Sequence, residues 1–216
     1  MKQLSKYAFC IVLIALVWLP VKASAQLMLD DYTSGAYVKR ISNPLVHDLH
    51  YAALPPNSPL GQARQTYFGA APNPDGQWST LDVGKGRLVV DAGFGCAANL
   101  QIGYGFNLAG AEVPLGLNLD GFSGFQLNFQ GIATSEELLV VITIFPQTGG
   151  YWNFEVVLPP NGNAFPVSFP FSGFRNGVGA GGLTQADLSN INFVVVLAEG
   201  GGFASFGLTS FQAVNQ

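Results

Sequence analysis

From Gln26 onward the chain is written in short runs of β-branched and aromatic residues, cut at close intervals by glycine and proline. Apolar and polar residues alternate within several of these runs, the period-two signature of a strand with one buried face. In Phe125–Gly131 the apolar Phe125, Leu127 and Phe129 alternate with Gln126, Asn128 and Gln130. In Tyr151–Leu158, Trp152, Phe154, Val156 and Leu158 face one way, and Tyr151, Asn153 and Glu155 the other. By contrast, Leu138–Phe145 and Phe193–Leu197 are apolar on both faces, which predicts central strands covered on both sides. The remaining predicted strands are Gln26–Tyr32, Tyr37–Ile41, Arg87–Asp91, Ala98–Tyr104, Ala164–Phe169, Asn192–Ala198 and Ala204–Val214. Between Pro44 and Val83, six prolines (Pro44, Pro55, Pro56, Pro59, Pro72 and Pro74) predict mostly loop with one or two edge strands, Arg64–Phe68 foremost.

Helix periodicity is almost absent. The expected fold is therefore all-β: a two-layer antiparallel β-sandwich whose long, irregular connections suit a jelly roll better than an up-and-down barrel. Residues 26–216 have the length of one domain with a proper core.

The first 25 residues read differently. Lys2 and Lys6 precede the unbroken apolar run Phe9–Leu19, Pro20 ends it, and Ala23-Ser24-Ala25 supplies a small-x-small cleavage site. Met1–Ala25 is thus expected to be a signal peptide, leaving a secreted or periplasmic protein that starts at Gln26. The apolar run is about half of the ~20 residues a spanning helix needs, and no membrane span is expected after cleavage.

Cleavage would leave six basic residues against thirteen acidic ones, a net charge of −7. The six basic residues are scattered, which excludes nucleic acid and anionic membranes as partners, because both need clustered Lys and Arg. Cys96 is then the single cysteine, so no intrachain disulfide can form; a buried, inert thiol is expected.

Two lead-ins, Leu119-Asp120-Gly121-Phe122-Ser123-Gly124-Phe125 and Asp187-Leu188-Ser189-Asn190-Ile191, turn the chain into strands with Asp and Ser oxygens. They resemble the Asp-Leu-Ser-Gly-aromatic lead-ins of galactose-binding-like β-sandwiches, including carbohydrate-binding modules and domains related to the complex-I intermediate-associated protein. Leu29-Asp30-Asp31-Tyr32-Thr33-Ser34-Gly35 is similar to the opening of that group, and Phe203–Val214 resembles its last strand. The resemblance implies a sandwich and a carbohydrate or cell-surface ligand. It also implies a structural calcium near Asp30 and Asp31, although Thr209 and Ser210 stand where an Asp is common. Hydroxyls replace a carboxylate poorly around Ca²⁺, and no other cofactor is implied.

Candidate chemistry is sparse. Sugar binding needs aromatic platforms with planar amides and carboxylates that pair with hydroxyls. Tyr151, Asn153 and Glu155 provide such a set, joined by Gln126, Asn128 and Gln130 if the two strands share a sheet. His47-Asp48-Leu49-His50 has metal-binding residue types but no third ligand nearby and reads as an exposed polar loop. Glycoside hydrolysis would need a second carboxylate facing Glu155 across roughly 5–9 Å. Three functions follow in order: a non-catalytic carbohydrate-binding module, a structural or adhesive protein that binds another protein, and a glycoside hydrolase.

Overall fold

The computed structural model describes residues 25–179 and 181–215; the leader expected over Met1–Ala25 lies outside them but for its last residue. The chain runs through β1 (Gln26–Asp30), β2 (Tyr37–Ile41), β3 (His47–Ala53), β4 (Ala63–Gly69), β5 (Ser79–Gly84), β6 (Arg87–Ala92), β7 (Ala98–Phe106) and β8 (Gly124–Thr134). It continues through β9 (Leu138–Pro146), β10 (Trp152–Leu158), β11 (Asn161–Gly162), β12 (Phe165–Pro170), β13 (Arg175–Asn176), the single-turn helix α1 (Gln185–Leu188), β14 (Ile191–Gly200) and β15 (Ala204–Val214).

These strands form two antiparallel sheets, one of eight strands in the order β11-β8-β15-β6-β5-β2 and one of seven in the order β13-β10-β9-β14-β7-β4-β3. In the first sheet β1 also pairs with β15, and β12 with β8. Repeated crossovers between layers make this the two-layer sandwich that the alternation predicts. The core between the sheets is lined by the predicted apolar positions, including Phe125, Leu127 and Phe129 from β8 and Val140, Ile142 and Ile144 from β9. Phe125 is its aromatic centre, with ring centroids 5.0 Å from Phe171 and 5.0 Å from Phe211.

The Pro44–Val83 stretch departs from expectation. It holds three strands, β3, β4 and β5, and the four residues 47–50 lie on β3 rather than in a loop. All six prolines fall in the connections, where no ladder N–H is required. His47 stacks on Tyr67 at 5.2 Å, His50 on Tyr37 at 4.0 Å, and Asp48 pairs with Lys39. These contacts use the cluster as packing. A second departure concerns β9 and β14: their outward residues Val141, Phe145, Phe193 and Leu197 are half-buried, with no described layer over them. They are covered on one side only.

One buried ionic cluster ties the two sheets together. Arg64 of β4 and Asp30 of β1 are both buried; Arg64 Nη1 donates to Asp30 Oδ2 at 2.8 Å, and the Tyr104 hydroxyl of β7 donates to the same oxygen at 2.9 Å. The Tyr32 amide donates to Asp30 Oδ1 at 2.8 Å, while Arg64 Nη2 donates to the carbonyls of Ser34 at 2.9 Å and Gly35 at 3.1 Å. Burial alone would favour neutral Arg64, but the Asp30 charge, its hydrogen bond and the nearby Tyr104 and Tyr32 together outweigh it and hold the guanidinium's pKa above its ordinary value. Gly35, at φ +64°, is required here: a Cβ would lie 2.6 Å from Ala52 Cβ and 3.2 Å from Arg64 Nη2.

Removing one partner of a buried pair strands the other charge at a cost of about 3–5 kcal/mol. Asp30→Asn is therefore expected to lower unfolding stability by about 3–5 kcal/mol in urea titrations, and a loss below about 1 kcal/mol would contradict the tie.

Candidate functional site

The outer face of the first sheet carries a groove of about 590 Å³ crossing β5, β6, β15, β8 and β11. Registers show how the sequence makes it. Val89 of β6 lies opposite Gly207 of β15, and Gly207 opposite Gly131 of β8, so two glycines stand side by side where outward side chains would rise. One row over, Asp91 faces Thr80 on one side and Ser205 on the other, with Ala133 beyond. The floor is low because the central residues lack side chains. The walls are raised by Thr80, Asp82, Arg87, Asp91 and Gln130.

Thr80, Asp82, Arg87, Asp91, Gln130 and Ser205 make no side-chain hydrogen bond among the described residues, and the ion pairs there are Lys39–Asp48 and Arg64–Asp30. Hydroxyls, an amide, two carboxylates and a guanidinium thus converge on one groove with their bonding capacity free. Two residues before Thr80, Trp78 is 48% exposed, with the Arg40 guanidinium 4.1 Å above its ring. Phe94, just after β6, is 79% exposed. The groove therefore has aromatic surface near the end formed by Thr80 and Asp91.

Of the six residues expected to bind ligand, the structure brings only Gln130 into this groove. Gln126 and Asn128 share its face of β8 but are tied to one another and to β15. Gln126 Nε2 donates to Asn128 Oδ1 at 2.9 Å, and Asn128 Nδ2 to Ser210 Oγ at 2.7 Å. Tyr151, Asn153 and Glu155 belong to the start of β10 and to β10 itself, in the other sheet, so the two strands do not share a sheet. The condition for one six-residue site is not met. Glu155 is exposed, its cross-strand neighbour on β9 is Val141, and no second carboxylate stands opposite it. Asp82, Asp91, Arg87 and Ser205 escaped the sequence reading, because β5 lay in the proline-rich stretch and glycines leave no mark as a floor.

The calcium implied by resemblance does not fit. Both oxygens of Asp30 accept hydrogen bonds, and Arg64 already supplies the cation. Asp31 accepts from the Thr33 hydroxyl at 2.6 Å and the Thr33 amide at 3.0 Å, and these bonds hold its carboxyl below the usual range. No group of three His, Cys, Asp or Glu able to hold a metal occurs among the described residues. Cys96 is buried, as expected, and burial pushes its thiol pKa up.

No family model and no curated protein matches the chain in sequence. Solved structures that resemble it include the family 11 carbohydrate-binding module from Clostridium thermocellum in complex with a β-1,3-1,4-mixed-linked tetrasaccharide, at 13% identity and TM-score 0.43, covering 88% of this chain and 95% of that one. A second is TmCBM61 in complex with β-1,4-galactotriose, at 7% identity and TM-score 0.30, covering 90% and 89%. An agarase matches 87% of this chain with 24% of its own length, at 13% identity and TM-score 0.45.

The misfit of calcium has a direct check. A site bound only in the folded state adds about 2.7 kcal/mol at a hundredfold excess of ligand over Kd. Millimolar calcium or EGTA is expected to leave the melting temperature unchanged, and a calcium-dependent rise would place a metal in the fold.

Proposed function

We propose that this protein is a non-catalytic carbohydrate-binding module that acts after export, in a secreted or periplasmic setting, and holds glycan in the groove of the first sheet. The observation that carries this reading is the set of six unengaged polar side chains over a floor of Gly131 and Gly207. Sugar hydroxyls both donate and accept, so they pair well with carboxylates, amides and a guanidinium, and Asp82, Asp91, Gln130 and Arg87 supply these. Trp78 offers an exposed ring for a sugar's apolar face. Two carboxylates against one guanidinium favour neutral glycans over polyanionic ones. The apolar run and cleavage pattern of Met1–Ala25 support export.

The test is a glycan array with purified wild-type protein and variants. Gly131→Leu fills the floor without strain, since a Cβ there meets no atom closer than 3.6 Å. This variant and Asp91→Ala are each expected to lower binding at least tenfold, about 1.4 kcal/mol, with melting temperature preserved. Tyr151→Ala and Glu155→Ala are expected to leave binding intact. Loss in the latter pair alone would move the site to the other sheet, and a blank array with wild-type protein would refute the reading.

A further inference from the structure

The outer face of the second sheet is an apolar surface of another kind. Tyr51, Phe106, Phe193, Phe145 and Tyr151 form a row across β3, β7, β14, β9 and the start of β10, with successive ring centroids 6.0, 5.8, 6.5 and 6.2 Å apart. The bulge at Gly105 helps complete it. With φ at +103°, this residue shifts the register between Ala63 and Arg64, so that Phe106 reaches the outer face beside Phe193. A Cβ at Gly105 would lie 2.4 Å from the Phe193 ring. Below the row come Val195 paired with Thr143, then Leu197 paired with Val141. Leu49 is 55% and Val157 53% exposed on the flanking strands.

The charged residues of this face lie around its margin, while the neutral polar residues Gln65 on β4, Gln101 on β7 and Thr143 on β9 lie among the apolar ones, Gln65 Nε2 donating to the Tyr51 hydroxyl at 2.9 Å. Glu155 is on β10, next to the edge, and Arg175 on β13, its guanidinium held by the carbonyls of Ser172, Phe174 and Gly181. Glu199 lies six residues along β14 from Phe193, about 20 Å at ~3.3 Å per residue. An aromatic-rich centre free of charge within a charged margin is the anatomy of a protein interface. The rings also argue against a polysaccharide: neighbouring planes cross at 60°, 42°, 80° and 42°, so they offer no flat platform for stacked sugars.

We infer that this face is the contact between two copies of the chain, packed sheet against sheet. Six strands at ~4.8 Å and four outward rows at ~6.8 Å give on the order of 600 Å² in projection. That approaches the ~800 Å² of accessible surface per partner in a stable interface. The aromatic row suits a twofold. An axis in the interface plane along β14 sets Phe193 against its own copy and Phe106 against the copy's Phe145, and like ring types meet at both positions. Glu155 stays near an edge and Glu199 near the solvent. The two grooves then face outward on opposite sides of the dimer, so one assembly holds two glycan chains.

Sedimentation velocity of the purified protein from about 1 to about 200 µM tests this. A concentration-dependent dimer is expected. Leu197→Lys should raise its dissociation constant at least tenfold, while Gly131→Leu, on the opposite face, should leave it unchanged. Because a charged substitution can also disturb folding, a second measurement locates the axis. Val195→Cys on β14 should oxidise to a disulfide-linked dimer, whereas Asn153→Cys on β10 should not. A monomer at every concentration would overturn the inference, as would a dimer that Leu197→Lys leaves intact or in which Asn153→Cys cross-links in place of Val195→Cys.

Discussion

The sandwich depends on one charge that water cannot reach. Arg64 projects from the second sheet into the interior, and the two terminal nitrogens of its guanidinium donate to the carboxylate of Asp30 and the carbonyls of Ser34 and Gly35. A buried cation of this kind is tolerable only when its partners are held in place. The surroundings reflect that demand: Tyr104 donates to Asp30 from the neighbouring strand, and Tyr32 takes a left-handed backbone at φ 55° beside the turn. The Tyr32 ring lies 5.5 Å from the guanidinium carbon. The first strand is thereby fixed to the opposite layer by an ion pair as well as to β15 by its ladder. An acidic pair at the end of β1, which resemblance alone would give to a metal, divides instead into a buried counter-ion and a surface turn.

With the layers tied, the two outer faces are free to diverge. The first sheet pairs glycines in its middle and polar side chains around them, and its face opens as a groove. The second sheet gathers aromatic and aliphatic residues outward and keeps charge away from its centre. Both faces derive from the same alternation rule, and the difference lies in which residues occupy the outward half of each period. A ligand with many hydroxyls suits the first face, and a protein surface the second. Their placement on opposite sides means that neither contact obstructs the other.

Much of the architecture was legible in the chain. The limits of β2 and β15 match the predicted strands, because strong alternation with turn residues at both ends leaves little freedom in where a strand stops. β3 and β5 were not legible, since prolines dominate the composition around them although they sit only in the connections. The site was harder still. Its walls come from residues 80–91 and 130–133 and from Ser205, which only the fold brings together, and its floor is defined by the absence of side chains. Gln130 was visible as the outward amide of an obvious strand. Gln126 and Asn128 looked equivalent, yet the ladder to Ser210 engages them. The two-sided apolar character of β9 and β14 was read as burial under a second layer, and the structure leaves that side open.

The glycine floor has a consequence for how such a protein can change. Gly131 and Gly207 both have backbone angles that any residue can adopt, since neither is among the positive-φ glycines. Neither has a core neighbour that forbids a side chain; at Gly207 the nearest contact is the flexible amide of Gln130 at 3.3 Å. Alanine, serine or valine at these two positions would raise the bed of the channel in small steps while the hydrophobic interior stayed untouched. Depth is thus an adjustable dimension, separable from stability, and a lineage could retune what it recognises through two codons without refolding the scaffold.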